Sequence, residues 1–477
     1  MTGLAHDIDP QIAGLTADSR RVGPGWLFAA LPGTTADGRA FIGQALGRGA
    51  VAVLAPEGTV IEAEGVAVVT DPNPRRRFAQ LAAAFHGAQP ETMVAVTGTN
   101  GKTSVANFFR QICRRLGHPS AAIGTLGIIA DGWDNKGGLT TPDPAELHAA
   151  LAELARAGVT HACMEASSHG LAQYRLDGVR LKAAAFTNLT RDHLDYHGSM
   201  ADYLEAKLRL FSEVLPAGAT AVVNVDADGA DRVAAIAAVR GLDLITFGTK
   251  GADLHLLAAR PEADGQVLEL ALFGRRETVR LPLAGSFQAA NALAALGLAI
   301  AAGIDAVTAA ETLEHLEGVP GRLEKVAERA NGAAIYVDYA HTPDALETVL
   351  AALRPHAEGR LAVVFGCGGD RDRGKRPQMG AIAARLADLA VVTDDNPRSE
   401  DPAAIRAAIL AACPGATEIA DRAQAIRFGV SALRKGDILV VAGKGHEIGQ
   451  IVGSTVLPFD DSEEARRAVT EIEGGRP

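Results

Sequence analysis

The sequence contains few cysteines and few aromatic residues. Its four cysteines, at positions 113, 163, 367 and 413, lie far apart and form no C-x-x-C pair. That spacing argues against a disulfide scaffold or a zinc ribbon and favours a reducing compartment. Aromatic residues make up only 4% of the chain, whereas alanine and glycine are abundant, so we expect helices that pack through small side chains.

The chain also lacks a surplus of positive charge. Its formal net charge of −11 argues against a general nucleic-acid-binding protein, because such proteins present a basic face. A small anionic substrate stays compatible with this balance, since local clusters of charge matter more than the sum. The run Arg75-Arg76-Arg77 is one such cluster, and we interpret it as an exposed surface run.

No apolar run is long enough to cross a membrane. The most apolar stretch, ALAALGLAIAAGI at 292–304, is shorter than the about 20 residues that a spanning helix needs, and it predicts a buried helix. The first residues, MTGLAHDIDPQ, have no charged segment followed by an apolar one, so we predict no signal peptide. We therefore expect a soluble, cytoplasmic protein without membrane insertion.

The alternation of strand-like and helix-like segments predicts a three-domain α/β protein. A chain of 477 residues is long enough for about three domains of ~150 residues. Strand-like runs at 51–55 and 66–70 precede DPNPRRRFAQLAAAFHG, which predicts a Pro break, a helix and a glycine stop. From Met93 onward strands alternate with helices, as is typical of a mostly parallel sheet.

The C-terminal part begins after a turn-rich segment, GVPGRLE at 318–324, which we predict to be a linker. Three runs follow, LAVVFG, LAVVT and ILVVAG, and each ends in a polar loop. Near-continuous Val and Leu runs are typical of strands buried on both faces. We predict domains at 1–88, 89–319 and 320–477: an N-terminal α/β domain, a central P-loop-type domain and a C-terminal Rossmann-like domain.

The stretch VAVTGTNGKTS, residues 94–104, predicts a phosphate-binding loop between a strand and a helix. The usual G-x-x-x-x-G-K-[ST] motif would place a glycine where Val96 stands. Glycines let the backbone approach a phosphate, the helix N-terminus offers free N–H groups, and Lys102 supplies a cation. Thr103 is placed to hold Mg²⁺ through its hydroxyl. A plain strand-to-helix turn is the alternative explanation.

Two further stretches carry chemistry, MEASSHGLAQYR (164–175) and FTNLTRDHLDYHG (186–198). Glu165 ends an apolar stretch, and His193 follows another strand-like run. Oxygen ligands with one imidazole suit Mg²⁺ bound beside phosphates, although a structural role for either residue stays open. Lys207 lies in a predicted helix, SMADYLEAKLRLF, and its pattern alone favours a solvent-exposed lysine.

Taken in order, these motifs resemble the Mur ligase family over essentially the whole chain. The resemblance rests on GTNGKTS, SSHG-x-x-Q-x-R, TNLTRDHLDYHG, the lysine fourteen residues after His193, DNPR at 395–398, DSR at 18–20 and GTTADGRAFI at 33–42. In this family GxxGK[ST] is the normal loop, so Val96 is no defect. The family forms amide bonds at the expense of ATP in the synthesis of peptidoglycan precursors.

The resemblance implies that UDP-N-acetylmuramoyl-L-alanyl-D-glutamate is the substrate. ATP would phosphorylate its D-Glu γ-carboxylate, and the amine of an amino acid would attack the acyl phosphate. Because two anions must meet, the site needs cations. The residues implied in catalysis are Lys102, Glu165, His193 and Lys207. Those implied to hold Mg²⁺ are Thr103, Glu165, His193 and a carbamate on Lys207, whose formation needs a neutral amine such as burial favours.

The resemblance also assigns the nucleotide contacts. Asn291 resembles the adenine-contacting Asn, Arg322 the linker arginine that reaches the γ-phosphate, and Asp338 the ribose contact, whereas Gln288 departs from the family's usual Asn. The implied ATP site comprises Gly98, Thr99, Asn100, Gly101, Lys102, Thr103, Ser104, Asn291, Arg322 and Asp338. The implied UDP-substrate site comprises Ser19, Thr34, Thr35, Ala36, Thr140, Thr141, Ser167, Gln173 and Arg175.

The amino-acid site can be argued from the C-terminal loops. Ligands of open α/β sheets bind outside the carboxyl ends of the strands. The candidate residues in such loops are Arg371, Asp395, Asn396, Pro397, Arg398, Gly443 and Glu447. Arg398 would pair with a carboxylate and Glu447 with an ammonium. Lysine has no distal carboxylate and would leave Arg398 unpaired, so the site would discriminate against lysine by a factor on the order of 10³–10⁵. In the family DNPR accompanies meso-diaminopimelate, which we predict as the amino acid.

Three alternatives stay open. A lysine-adding ligase of the same family is the nearest one, and folylpolyglutamate synthetase-like enzymes lack the UDP domain that residues 1–88 provide. A non-enzymatic nucleotide-gated binding module would bind ATP without amino-acid-dependent phosphate release. We further expect a monomer that binds no nucleic acid.

Overall fold

The structure is a computed structural model that describes residues 9–33, 36–133 and 138–474, apart from the side chain of Asp195. Three α/β units follow one another along the chain, and each is built around its own sheet. The predicted fold class is confirmed.

The N-terminal unit contains a four-stranded parallel sheet in the order β1-β2-β3-β4. Its elements are β1 (Gly14–Thr16), β2 (Trp26–Ala29), α1 (Ile42–Gly47), β3 (Ala50–Pro56), β4 (Ala67–Asp71) and α2 (Pro74–His86). Helix α2 begins where predicted, because the Asn73 side chain accepts a hydrogen bond from the Arg76 N–H and Pro74 occupies the first turn.

The central unit contains a ten-stranded sheet in the order β14-β13-β12-β11-β10-β9-β5-β8-β6-β7. Its strands are β5 (Thr92–Thr97), β6 (Ser120–Gly124), β7 (Gly127–Ile129), β8 (His161–Glu165), β9 (Leu181–Phe186), β10 (Thr220–Asn224), β11 (Asp243–Gly248), β12 (Leu254–Glu262), β13 (Gly265–Leu272) and β14 (Arg275–Leu281). Its helices are α3 (Lys102–Arg115), α4 (Pro144–Arg156), α5 (Ser168–Ala172), α6 (Leu194–His197), α7 (Met200–Arg209), α8 (Ala230–Arg240), α9 (Ser286–Ala301) and α10 (Ala306–Glu311).

Helices cover both faces of this sheet. Helices α3 and α9 pack on one face, and α4 and the end of α7 pack on the other. The apolar stretch at 292–304 lies mainly in α9, and its residues 292–299 are buried, as predicted. Strands β12, β13 and β14 form antiparallel pairs at one edge, which the alternating pattern of the sequence did not predict.

The C-terminal unit contains a six-stranded sheet in the order β15-β16-β20-β17-β18-β19 and a separate two-stranded hairpin. Its strands are β15 (Glu324–Glu328), β16 (Ala334–Asp338), β17 (Leu361–Phe365), β18 (Leu389–Val392), β19 (Thr417–Glu418), β20 (Ile438–Ala442), β21 (Gly449–Val452) and β22 (Thr455–Pro458). Its helices are α11 (Pro343–Leu353), α12 (Lys375–Leu386), α13 (Pro402–Leu410), α14 (Arg422–Ser431) and α15 (Asp461–Ile472).

The three predicted buried strands of this unit are β17, β18 and β20, and they lie side by side in parallel. Their carboxyl ends therefore bring three loops to one edge of the sheet. The domain boundaries after residues 88 and 319 stay predictions, and both fall in segments that connect one sheet to the next. No helix among the described residues has the length and apolar character needed to cross a membrane.

Candidate functional site

The glycine loop connects β5 to α3, and its two glycines are required by conformation and by space. Gly98 has φ 150° and Gly101 has φ 86°, in a region that side-chain-bearing residues rarely adopt. A Cβ on Gly98 would overlap the Thr187 hydroxyl, and one on Gly101 would overlap the Asn291 side-chain oxygen. Asn291, predicted to contact adenine, therefore lies against the loop.

Two lysines donate hydrogen bonds into this loop. Lys102 Nζ donates to Gly98 O at 3.0 Å and to Thr99 O at 2.7 Å. Lys207 Nζ donates to the same Gly98 O at 2.7 Å, and its residue is only 1% exposed. The pattern-based interpretation of Lys207 as solvent-exposed is therefore wrong, because the end of α7 turns it into the interior.

Burial acts on both amines. Burial lowers the pKa of Lys102, although the charges of Glu165 and Asp192 oppose that shift. Burial, followed by the nearby Lys102 charge, lowers the pKa of Lys207 well below its ordinary value. A neutral Lys207 amine is therefore favoured, which is the form that carbamate formation requires.

Glu165 lies at the carboxyl end of β8, beside the loop, and is 2% exposed. Its Oε1 accepts from the Thr125 N–H at 2.9 Å, and its Oε2 accepts from the Thr125 hydroxyl at 3.2 Å. A Cβ on Gly124 would overlap this carboxylate, so a glycine is needed next to it.

His193 has φ 52°, and its side chain is 48% exposed. Its Nε2 lies 3.4 Å from Asp192 Oδ2, and its ring centroid lies 6.2 Å from that of Tyr203. The same Tyr203 ring lies 4.2 Å from Lys207 Nζ, and its hydroxyl donates to Thr99 Oγ1 at 3.3 Å. His193 and Lys207 therefore share one aromatic neighbour beside the loop.

Within the described residues no three His, Cys, Asp or Glu side chains form a preassembled metal cluster. The predicted set is chemically suited to Mg²⁺ all the same, since Thr103 and Glu165 offer hard oxygen donors. The 1% exposed Lys207, with its depressed pKa, is suited to becoming a carbamate. The magnesium assignment stays a prediction.

Arg322 extends from the linker to the loop. Its Nη2 lies 3.5 Å from the Thr103 hydroxyl, and its guanidinium lies 4.5 Å from the centroid of the Tyr339 ring. Gln288 Nε2 donates to Arg322 O at 3.3 Å, and Gln288 Oε1 accepts from Asn291 Nδ2 at 3.1 Å. Gln288, which departs from the family pattern, thus connects the predicted adenine contact to the linker arginine.

Asp338 is buried at the end of β16 and holds the linker. Its carboxylate accepts from the Leu323 N–H at 2.6 Å and from the Ala340 N–H at 2.8 Å. Burial raises its pKa to about 6, against the opposing charge of Arg322. Asp338 therefore lies beside the linker segment that carries Arg322, and its predicted contact with the ribose stays a prediction.

Five residues predicted to hold the UDP substrate form one network. Arg175 donates to Thr141 O at 2.7 Å and to Gln173 Oε1 at 2.7 Å. The Thr141 and Ser167 hydroxyls lie 3.0 Å apart. The Thr140 hydroxyl lies 3.0 Å from that of Thr125, which in turn contacts Glu165. The network therefore leads from Arg175 toward the nucleotide loop.

The N-terminal members of that predicted set lie on the first unit. Ser19 Oγ donates to Gln44 Oε1 at 2.6 Å, and Ala36 O accepts from the Gly33 N–H at 3.0 Å. Thr34 and Thr35 lie outside the described residues.

The Arg75-Arg76-Arg77 run contacts more than solvent. The Arg76 side chain is 45% exposed, yet its Nε lies 3.0 Å from Oδ1 of buried Asp177 in the central unit. Arg75 donates to Pro32 O at 2.5 Å. The interpretation as a surface run is therefore incomplete, because Arg76 joins the first unit to the second.

Asp177, to which the sequence alone assigned no role, also supports the network of residues predicted to hold the UDP substrate. Arg209 Nη2 donates to both Asp177 oxygens, at 2.7 and 2.8 Å, and Arg209 Nη1 donates to Leu171 O at 3.0 Å. The Arg209 guanidinium lies 3.9 Å from the centroid of the Tyr174 ring. Helix α7, which carries Lys207, is thereby fixed to the segment that carries Gln173 and Arg175.

The C-terminal crevice lies where the loops after β17, β18 and β20 meet. Arg398 has φ 50°, and its Nη1 donates to Gly369 O at 2.9 Å. A Cβ on Gly368 would lie 2.8 Å from Arg398 Nη1, so the glycine leaves room for the guanidinium. Arg371 is exposed, and its Nη1 donates to Asp370 O at 3.1 Å.

The same crevice brings together the remaining predicted residues. Asn396 Nδ2 donates to Glu447 Oε2 at 3.0 Å, which joins the second loop to the third. A Cβ on Gly443 would lie 2.6 Å from Asp395 Oδ2, so these two loops touch there as well. Pro397 is buried between Asn396 and Arg398. Fully buried Lys444, to which sequence reasoning gave no role, lies below this group.

Comparison with known proteins agrees with this arrangement. Three family models match consecutive parts of the chain, "Mur ligase family, catalytic domain" at residues 11–86, "Mur ligase middle domain" at 96–299 and "Mur ligase, glutamate ligase domain" at 321–445. The UDP-N-acetylmuramoyl-L-alanyl-D-glutamate–2,6-diaminopimelate ligase of Caulobacter vibrioides is 56% identical over 471 residues, which cover 98% of this chain and 97% of that protein.

Solved structures give the same result. A structure of UDP-N-acetylmuramoyl-L-alanyl-D-glutamate–2,6-diaminopimelate ligase is 36% identical with a TM-score of 0.74, and the match covers 99% of this chain and 100% of the other. MurF ligase from Thermotoga maritima, in complex with ADP, shares the fold at 20% identity with a TM-score of 0.63, covering 98% and 99% of the two chains.

Proposed function

Because this chain belongs to the Mur ligase family, we propose that it joins meso-2,6-diaminopimelate to the D-Glu γ-carboxylate of UDP-N-acetylmuramoyl-L-alanyl-D-glutamate. It is an ATP-dependent ligase of peptidoglycan precursor synthesis. The observation that carries the proposal is the crevice, where Arg398 and Glu447 are held by neighbouring loops at the carboxyl ends of three parallel strands.

The proposed reaction has two steps. The γ-carboxylate of the substrate attacks the γ-phosphorus of ATP, so ADP leaves and an acyl phosphate forms. The neutral amine of diaminopimelate then attacks the acyl carbon, so the amide forms, phosphate leaves with the electron pair of the broken C–O bond, and the nitrogen gives up one proton, which the phosphate or solvent accepts. Because the enzyme would hold the carboxylate next to the γ-phosphate and the amine next to the acyl phosphate, both steps would proceed as if the reacting groups belonged to one molecule.

Lys102 and Arg322 provide the positive charge at the first step. In the structure Lys102 Nζ donates to the carbonyls of its own loop. ATP phosphates would replace those carbonyls as acceptors, since an ammonium binds a charged oxygen more strongly than a neutral one. Arg322, next to the Thr103 hydroxyl, would reach the γ-phosphate and reduce its repulsion from the carboxylate.

Magnesium would be held by Thr103 on the ATP side and by Glu165, His193 and carbamylated Lys207 on the acyl side. When bound, it supplies neutralising charge to the phosphoryl group in transfer. The residues of the chain contribute what the geometry supports: Glu165 is oriented by Thr125, and the depressed pKa of Lys207 favours the neutral amine.

Separate groups of residues would select the UDP-dipeptide and the amino acid. Thr140, Thr141, Ser167, Gln173 and Arg175 would hold the muramoyl dipeptide, and Ser19 with the loop at residues 34–36 would hold the uridine nucleotide. Arg398 would pair with the distal carboxylate of diaminopimelate and Glu447 with its ammonium. L-Lysine lacks that carboxylate and would leave Arg398 without a partner.

We further propose that the ligase acts in the cytoplasm as a monomer.

The test is release of inorganic phosphate by the purified protein with ATP, Mg²⁺, the UDP-dipeptide and one amino acid at a time. We expect release with meso-diaminopimelate, together with a product whose mass equals both substrates minus one water. Preference for L-lysine at equal concentration would favour the lysine-adding alternative. ATP binding without any amino-acid-dependent release would favour the non-enzymatic binding module.

A further inference from the structure

Lys444 is a fully buried cation directly below the amino-acid crevice, with a side-chain exposure of 0%. Its Nζ donates to Gly449 O and to Asn396 Oδ1 at 3.2 Å, and it lies 3.4 Å from Glu447 Oε2. A buried ammonium is costly unless acceptors surround it. Asn396 lies in the loop after β18, Glu447 lies in the loop after β20, and Gly449 begins β21, so this lysine ties these three segments together.

The position of Lys444 fixes the orientation of the Asn396 amide. Asn396 Oδ1 accepts from Lys444 Nζ and from the Ile451 N–H, the latter at 2.9 Å. The amide nitrogen must therefore face the other way, where it donates to Glu447 Oε2 at 3.0 Å. A flipped amide would oppose the Lys444 ammonium with an NH₂ group.

Glu447 is oriented in turn. Its Oε2 lies within reach of both Asn396 Nδ2 and Lys444 Nζ, whereas its side chain is 35% exposed. One carboxylate oxygen is thus anchored from below while the carboxylate keeps access to solvent in the crevice. A carboxylate held in this way is prepared to receive a cation without first losing rotamer freedom.

We propose that Lys444 is a positioning residue for amino-acid selection, which acts through Asn396 and Glu447 and does not touch the substrate. The inference rests on the proposed function, because Glu447 is the group that receives the ammonium of diaminopimelate. Removal of Lys444 would release the Asn396 amide and the Glu447 carboxylate together. The nucleotide loop lies in another unit and would keep its geometry.

The main test compares two variants that each remove a cation from a charged network in the C-terminal unit. Lys444→Met should raise the KM for meso-diaminopimelate by about tenfold or more, as loss of a supporting residue commonly does. The KM values for ATP and for the UDP-dipeptide should change less than about threefold. The control is Arg360→Met, which breaks a 2.7 Å pair with buried Asp437 at the opposite end of the sheet. It should lower the Tm without changing the KM for diaminopimelate.

A double-variant cycle separates positioning from general loss of structure. If Lys444 acts through Glu447, Lys444→Met added to Glu447→Gln should raise the KM little beyond the larger single effect. Independent effects would multiply instead. Lys444→Arg keeps the positive charge but changes the shape of the side chain, so its KM for diaminopimelate should lie between those of the wild type and of Lys444→Met. If Lys444→Met does not fold, Lys444→Arg replaces it in the test.

An unchanged KM for diaminopimelate in Lys444→Met would overturn the inference, as would an equal rise in the KM for ATP. Multiplicative effects in the cycle would also overturn it. Failure of the proposed function looks different, because the wild-type protein would then release no phosphate with diaminopimelate. If the wild type prefers L-lysine, the same variants are scored by their KM for L-lysine.

Discussion

The nucleotide loop and the amino-acid crevice differ in how many segments of the chain form them. The loop is one contiguous segment, and its donors are backbone groups, a helix terminus and Lys102. The crevice is assembled from three loops, at 371, 395–398 and 443–447, that are distant in sequence. A phosphate can be bound by local backbone geometry, whereas a molecule with charges at two separate points needs groups held at a fixed separation.

The two regions also differ in how their charged groups are stabilised. Lys102 donates to carbonyls of its own loop, so a ligand can replace those acceptors without moving another element. In the crevice Asn396, Glu447 and Lys444 contact one another across two loops. We therefore expect changes in the loop to affect turnover and changes in the crevice to affect selectivity.

The strongest effect is expected in the loop. Lys102→Ala removes the cation that would face the β- and γ-phosphates, and we expect kcat to fall on the order of 10³-fold. Steady-state phosphate release with all three substrates saturating is the measurement. Lys182→Ala, which changes a lysine that donates to Thr92 Oγ1, serves as a control and should leave kcat unchanged. Normal turnover by Lys102→Ala would contradict the assignment of the loop.

The next effect separates the crevice from the loop. Arg398→Ala should lower kcat/KM for meso-diaminopimelate by about 10²-fold or more, because a charge partner of the substrate is lost. The KM for ATP should stay within a factor of about three. Discrimination against L-lysine should shrink in parallel, and Arg385→Ala on α12 is the surface control. A parallel rise in both KM values would show that the two regions are not independent.

A pH effect is expected on the stability of the central unit, in which the loop lies. His148 is 3% exposed beside Asp177 O, and burial lowers its pKa to about 4. Its stabilising contribution is fully present above its ordinary value near 6.5 and is lost as the pH falls from there toward 4. At pH 5 the loss is about 2 kcal/mol, on the order of 30-fold in the unfolding equilibrium.

This prediction is checked by hydrogen exchange of α4 and its neighbours at pH 7.5 and pH 5. His148→Gln keeps a side-chain donor but cannot become charged, so its stability should depend less on pH in this range. Equal pH dependence in the two proteins would show that His148 is not the group that titrates.

The smallest effect concerns the connection between loop and linker. Gln288→Ala breaks the hydrogen bonds to Asn291 Nδ2 and Arg322 O, and we expect the KM for ATP to rise about five- to tenfold, as for the loss of about 1 kcal/mol. The KM for diaminopimelate should not change. Gln111→Ala is the matched control, because that glutamine forms its two hydrogen bonds with the backbone of Glu317. An effect of equal size in the control would remove any special role for Gln288.

Much of the fold could be predicted from local patterns. The Val- and Leu-rich runs became β17, β18 and β20, and the segment beginning at Pro74 became a capped helix, because burial and capping depend on near neighbours in sequence. The antiparallel strands β12, β13 and β14 were not predicted. They extend the edge of a parallel sheet, and their pairing depends on a neighbour that the local pattern does not reveal.

The residues of the site fall into the same two groups, those placed by the local sequence and those placed by contacts with distant segments. The loop Gly98–Ser104, the order of the motifs and the strand ends that carry the crevice could be predicted from the amino-acid sequence, because these depend on contiguous residues and on uninterrupted apolar runs. Three features became visible only in the folded chain: Lys207 is buried, Gln288 joins Asn291 to Arg322, and Lys444 lies below Glu447. These facts depend on which distant segments pack together, since the charge state and orientation of a side chain are set by its neighbours in space.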